Sequence, residues 1–324
     1  MSTAAAVLVL TLCLLSAPLL AAPPASQPAR AGADNGWDAK FFAYDRSHPV
    51  ELVVSTPTAS QMSFVGRPAV MKAPAINAGD AVRPLVVGPV DVLHVTFKDA
   101  SGAWVPALLA TPSGQAGPFP LVVAIHGLRS NKAQVLGQVG PAMAKRGYAV
   151  LAVDMPLHGE RPGDPSSIGD PSKAVQTYLA YHQAIVNVRQ AIDTAERLPQ
   201  IDAGRGVVLA GYSMGSWISS IAGPADARVR AMVLMVGGAK ALPPAMAGMP
   251  MVAAVDPRLA IAHFAGRPVL MLNGAHDVVV PRELADRLFA AAPQPKARKF
   301  YDCGHLLTAD AYEDAAEWIA KLKS

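Results

Sequence analysis

Two cysteines stand in 324 residues, Cys13 inside an apolar run and Cys303 near the C-terminus. If the first leaves with an export signal, one thiol remains and no internal disulfide can form. Basic blocks are missing too: no run of five Lys or Arg occurs, and the formal net charge of +4 is mild, so nothing points to nucleic acid. Metal-ligand spacings such as H-E-x-x-H or C-x-x-C do not occur, and neither G-x-G-x-x-G after a strand nor a phosphate-binding Walker motif is present. No metal or cofactor is implied. Repeats of 20–50 residues are absent, which excludes a solenoid or propeller.

What is present is apolar. Hydrophobic residues make up 52% of the chain and charged residues 16%, suited to one large core with or without an appendage. Residues Ala4–Ala22 are apolar and uncharged, and a Pro/Ala-rich stretch follows. This reads as a signal peptide over 1–22 and a linker over 23–36, although Met1-Ser-Thr3 carries no Lys or Arg. The expected location is periplasmic or extracellular, with no stable membrane insertion once the signal is cut. Residues 37–89 read as an extension packed on the main domain, with a strand at Val50–Val54 and loops broken by Pro57, Pro68, Pro74 and Pro84. Residues 90–324 read as the main domain.

Val90–Phe97 alternates in polarity, Lys98–Gly102 has turn composition, and Trp104–Ala110 continues apolar, which predicts an antiparallel hairpin. Apolar runs then alternate with helical stretches. Strands are expected at Leu121–Ile125, Tyr148–Val153, Val207–Ala210, Ala231–Val236, Pro268–Leu272 and Lys296–Tyr301. Helices are expected at Lys132–Arg146, Ser172–Leu198, after Ser213, at Arg282–Ala292 and at Ala309–Lys323. On the long helix Tyr178, Tyr181, Ile185, Val188, Ile192 and Ala195 form one stripe. Such alternation predicts an α/β fold: a mostly parallel central sheet, helices on both faces, and chemistry at the carboxyl ends of the strands.

One stretch concentrates that chemistry. Val207–Ala210 runs into Gly211-Tyr-Ser-Met-Gly215 and then a helical segment, the strand–turn–helix setting of a nucleophile elbow. Gly211 and Gly215 flank Ser213 because a β-carbon there would meet the neighbouring strand and helix. A serine that attacks an acyl carbon needs a base, a group that orients the base, and donors for the oxyanion. His305, after the last strand, is the candidate base, with Gly304 allowing the loop to turn. Asp277, after the preceding strand, is the candidate orienting acid. The oxyanion donors are expected to be the N–H of Met214 and one from Ile125-His-Gly-Leu-Arg129, with Leu128 favoured. His126, His158, Arg161 and Tyr212 are candidates for the substrate pocket; for His158 and Arg161 a role in holding their loop is the favoured reading. His276 reads as packing or substrate-side, and Cys303 as structural or incidental. The stretch 239–264 is where a cap would sit, its Met246, Met249, Met251 and Phe264 lining an acyl pocket or packing in the core.

His126-Gly127, Asp154-Met-Pro-Leu-His-Gly159, Gly211–Gly215 and the Asp277/His305 pair occur in the order found in the α/β-hydrolase superfamily, which the chain resembles from about residue 90 to 324. Within it the chain looks most like bacterial dienelactone-hydrolase-like and acetyl-xylan-esterase-like serine esterases. Those share the hairpin start and a segment similar to Phe42-Ala-Tyr-Asp-Arg-Ser47. Dienelactone hydrolases themselves use Cys at the elbow, where this chain has Ser213. The resemblance implies a carboxylic ester hydrolase with a small-molecule substrate. Two alternatives stay open, a prolyl-oligopeptidase-like peptidase and a non-catalytic binding protein on the same fold. Oligomeric state leaves no mark in the sequence.

Overall fold

The computed structural model describes residues 35–47, 50–63, 82–239 and 249–322. The signal-like stretch 1–22, linker residues 23–34, Pro68, Pro74 and Met246 lie outside the described residues.

Ten strands form one sheet: β1 (Leu52–Ser55), β2 (Leu85–Val87), β3 (Val90–Lys98), β4 (Trp104–Pro112), β5 (Leu121–Ile125), β6 (Ala149–Val153), β7 (Val207–Tyr212), β8 (Val229–Met235), β9 (Val269–Gly274) and β10 (Lys296–Tyr301). Their order is β1-β3-β4-β6-β5-β7-β8-β9-β10, with β2 also paired to β3. The first four pairings are antiparallel, and every pairing from β6 to β10 is parallel. The expected hairpin is β3–β4, with Leu93 opposite Leu109.

In the parallel part each strand is apolar on both sides because both faces are covered. Leu121, Val123 and Ile125 of β5 face one core, and Val122 and Ala124 face the other. The first core lies under α2 (Ala174–Ala195), α3 (Met214–Ala225) and α6 (Arg282–Ala291), together with the short α4 (Pro250–Ala254) and α5 (Pro257–Ile261). Against the second core pack α1 (Lys132–Ala144) and α7 (Ala309–Ala320). No helix among the described residues is long and apolar enough to cross a membrane.

Two differences from the sequence reading have plain causes. The strand β2 is three exposed residues without periodicity, and it exists because β3 offers it a partner edge. The single stripe expected along α2 holds only for its first half, where Val175 and Leu179 are exposed. Its second half is buried around most of its circumference, including Asn187, Gln190, Asp193 and Thr194. The N-terminal segment covers it: Arg189 donates to Phe42 O, and Tyr44 Oη donates to Asp193 Oδ2 at 2.5 Å. Phe264 sits fully in the first core beneath the Arg267 guanidinium, which settles its place in favour of packing, while Met249 and Met251 are exposed.

The order of strands reverses direction at β5. The chain moves from β5 to β6 on one side and then crosses to β7 on the other. Loops leaving the carboxyl ends of β5 and β7 therefore diverge and open a crevice between them, the usual ligand position in an open α/β sheet.

Candidate active site

Ser213 sits in that crevice, between the end of β7 and the start of α3. Its φ of 54° and ψ of −110° are strained for a residue with a β-carbon. The turn is possible only because its neighbours lack side chains. A β-carbon on Gly211 would lie 2.2 Å from Gly215 O, and one on Gly215 would lie 2.1 Å from Ile125 O. Gly215 thus lets the start of α3 rest on the end of β5, which brings the loop after β5 beside the serine. A β-carbon on Gly127 would stand 3.4 Å from Ser213 Cβ.

The candidate acid and base, Asp277 and His305, come from the loops after β9 and β10. His305 Nε2 lies 3.0 Å from Ser213 Oγ, and His305 Nδ1 lies 2.8 Å from Asp277 Oδ2. A carboxylate only accepts, so Nδ1 carries the proton and Nε2 is left to accept from the serine hydroxyl. Asp277 Oδ1 accepts the N–H groups of Val279 and Val280 at 2.8 and 2.9 Å. The Asp277 side chain is wholly buried, whereas that of His305 is 23% exposed. The two loops are laced by their backbones, with Ala275 N–H donating to Tyr301 O and His276 N–H to Cys303 O. Glycine matters here at a different place from the one expected. A β-carbon on Gly274 would lie 2.0 Å from Gly304 O, while Gly304 itself has room for one.

Leu128 follows Gly127, which packs against Ser213, and Met214 follows Ser213 itself, so each brings a backbone N–H into this region. Among the described residues neither N–H has a hydrogen-bond partner. Met214 opens α3, where the first N–H groups have no carbonyl to reach.

The four pocket candidates take other positions. His126 is fully buried, with Nδ1 donating to Gly127 O at 2.7 Å and Nε2 accepting Met155 N–H at 3.0 Å. Burial holds its pKa below the usual histidine range. His158 is also buried, accepting Arg129 N–H at 3.0 Å and donating to Pro156 O at 2.8 Å. Arg161 turns away, donating to Asn187 Oδ1 at 2.6 Å and lying 3.6 Å from Asp99. Tyr212 holds the base loop: its hydroxyl donates to His305 O at 2.6 Å and accepts from Leu307 N–H at 3.2 Å. The groups named here are bonded within the protein in all four: those of His126, His158 and Tyr212 to neighbouring loops, and those of Arg161 to Asn187 and Asp99. His276 is exposed and pairs with Asp302 at 2.8 Å, and Cys303 packs against the second core.

Behind the crevice lies a buried charged cluster absent from the sequence reading. The Lys132 ammonium, at the first turn of α1, is 2.8 Å from Asp154 Oδ2 and 2.6 Å from Glu160 Oε1. Asp154 also accepts Lys132 N–H and Glu160 N–H, and Glu160 reaches His94 Nε2 at 2.9 Å. Gly159 must lack a β-carbon, because one would fall 2.1 Å from the Asp154 carboxylate; its φ is 56°. Burial alone would raise the Glu160 pKa, but His94 and Lys132 hold it down to about 2. Asp154 belonged to a motif noticed in the sequence. Lys132 carried no signal beyond being a charged residue at a helix start.

Residues 105–317, more than half of the chain, match the sequence model of the dienelactone hydrolase family. No curated protein matches the chain. Among solved structures, an acetyl xylan esterase from Paenibacillus sp. R4 is similar with a TM-score of 0.62 at 18% identity, over 87% of this chain and 91% of that one. An acetyl xylan esterase 1 from Thermoanaerobacterium sp. JW/SL YS485 gives 0.58 at 17% identity, over 83% and 100%. A cold-adapted esterase from an Arctic intertidal metagenomic library gives 0.58 at 19%, over 76% and 99%. At these identities the likeness speaks for the fold, an α/β-hydrolase fold. Family match, fold and sheet position agree: the chain is a hydrolase that belongs to the dienelactone hydrolase family.

Proposed function

We propose that the protein is a serine esterase that hydrolyses small carboxylic esters through an acyl-enzyme. The observation that carries this is the continuous line from Asp277 through His305 to Ser213 Oγ, at 2.8 and 3.0 Å, beside two unpartnered N–H groups.

In the first half-reaction Ser213 Oγ bonds to the ester carbonyl carbon as its proton passes to His305 Nε2. Asp277, already bonded to Nδ1–H, stabilises the imidazolium. The carbonyl oxygen becomes an oxyanion and takes hydrogen bonds from Leu128 and Met214 N–H. Collapse breaks the bond to the alcohol oxygen, which leaves with the proton from His305. Water then repeats the sequence on the acyl-enzyme and releases the acid and free Ser213. The loop histidines, Tyr212 and the buried Lys132 cluster hold these groups in place, and none of the steps uses a cofactor.

The apolar stretch 1–22 places this activity outside the cytoplasm in our reading. Two of the structural neighbours are acetyl xylan esterases, so short acyl groups are the first to try. The test is turnover of p-nitrophenyl esters from acetyl to dodecanoyl by the wild type and by Ser213→Ala. The substitution is expected to cost at least about 10⁴-fold in kcat. A Ser213→Ala protein with unimpaired turnover, or a folded wild type that cleaves peptide amides and no ester, would sink the reading.

A further inference from the structure

The loop after β5 and the loop after β6 exchange histidines. His126, from the first, accepts Met155 N–H of the second at 3.0 Å. His158, from the second, accepts Arg129 N–H of the first at 3.0 Å. Each ring donates Nδ1–H to a carbonyl close by in sequence, Gly127 O for His126 and Pro156 O for His158. Both are therefore set as the tautomer with a bare Nε2, and the rings lie 5.0 Å apart, closed off from water. Lys132 N–H to Asp154 Oδ1 at 2.9 Å adds a third tie, from the start of α1, where the first loop ends, to the second loop.

The tie at Arg129 falls where the loop needs it. Arg129 has a φ of 62°, a conformation that a residue with a β-carbon holds only when its surroundings require it. Its N–H belongs to the peptide that follows Leu128. An acceptor on that N–H fixes the peptide plane next to Leu128, whose own N–H has no partner among the described residues and which follows Gly127, the residue packed against Ser213.

We propose that His158 is a positioning residue for the oxyanion site, holding the Leu128–Arg129 peptide through Nε2 so that the Leu128 N–H points where the oxyanion forms. This rests on the assignment of Leu128 as an oxyanion donor made above. An oxyanion contact matters more in the transition state than in the ground state. A loosened peptide is therefore expected to lower kcat and leave KM nearly alone.

The test compares His158→Met with His158→Gln in the full-length protein. The two side chains match in length, and only glutamine offers an oxygen to Arg129 N–H. With p-nitrophenyl acetate, His158→Met is expected to lose about 100-fold in kcat with KM within about threefold of wild type. His158→Gln is expected to recover most of that loss. The rate of Ser213 phosphonylation by a fluorophosphonate should fall in the same order, since its phosphoryl oxygen uses the same donors. Equal losses in both variants, or a folded His158→Met with wild-type kcat, would overturn the proposal. Should His158→Met not fold, the same pair is made with Arg129→Gly, where no β-carbon opposes the positive φ; equal activity of that pair also overturns it. Failure of the esterase reading looks different, because it appears in the wild type as absent ester turnover.

Discussion

Two pairs of loops rise from the same edge of the sheet, and they are built on opposite principles. The loops after β9 and β10 carry Asp277 and His305. They are joined by backbone hydrogen bonds and two side-chain pairs, Asp277–His305 and His276–Asp302, and they carry the exposed apolar residues Val278 and Leu306. The loops after β5 and β6 are tied by His126, His158 and the Lys132–Asp154–Glu160 cluster, all essentially without solvent contact. The difference follows from what each pair does in the proposed reaction. His305 must gain and lose a proton and so keeps an exposed edge. The other pair must keep two peptides still, and buried, fully paired polar groups resist displacement because an unmet one is costly there.

Substitutions can pull these two kinds of loop apart. The largest effect is expected at the acid. Asp277→Asn removes the carboxylate that sets the His305 tautomer, and kcat should fall by about 10⁴-fold while the urea midpoint hardly moves. Lys132→Met should act the other way round. It leaves Asp154 and Glu160 buried without their cation, a loss of about 3–5 kcal/mol in urea unfolding. Activity measured well below that transition should suffer far less than in Asp277→Asn. If Lys132→Met were as stable as wild type, the buried cluster would have no structural weight and the contrast would fail.

Acid should separate the loops as well. The Glu160 pKa is held at about 2, below its ordinary 4.5, so its carboxylate stabilises the folded state wherever the unfolded chain is also ionised. That contribution is complete above about pH 4.5 and is lost as the pH falls from there toward 2. The size is about 3 kcal/mol. Urea midpoints taken between pH 6 and pH 3 should drop in the wild type and drop less in Glu160→Gln, which starts lower. The smallest effect is expected at Tyr212→Phe, which removes the two hydrogen bonds that the hydroxyl makes to the base loop. A loss of about 1–2 kcal/mol corresponds to about 10-fold in kcat if it is felt at His305. A Tyr212→Phe enzyme with unchanged kcat and pH profile would mean that the backbone ties alone hold that loop.

The two regions also differ in how far they could be read beforehand. Ser213 announces itself because a strained strand-to-helix turn demands glycine on either side, and that demand is local. Asp277 and His305 follow because strand ends can be found from apolar runs and the topology then ranks the loops. Lys132 had no such signature: its partners Asp154 and Glu160 are brought by the loop after β6, with His94 of β3 behind Glu160, and the residue alone reads as an ordinary charged helix start. Tyr212, His126 and His158 stand at the sheet edge that carries Ser213, and nothing local says what their polar atoms meet. Their bonds to Met155, Arg129, His305 and Leu307 depend on how loops distant in sequence come together.

The amino-acid pattern alone was enough for the strand–helix alternation, the hairpin, the glycine-flanked turn at Ser213 and the placing of Asp277 and His305 after the last two strands, since apolar periodicity and glycine placement act over a few residues. Tertiary structure decided the rest. It buried the second half of α2 under the N-terminal segment, gave β2 a partner, moved the glycine requirement from Gly304 to Gly274, and bonded His126, His158 and Tyr212 to neighbouring loops. The physical reason is the same in each case: burial and the pairing of polar groups belong to the packed surfaces of remote segments, and no local pattern encodes which surfaces meet.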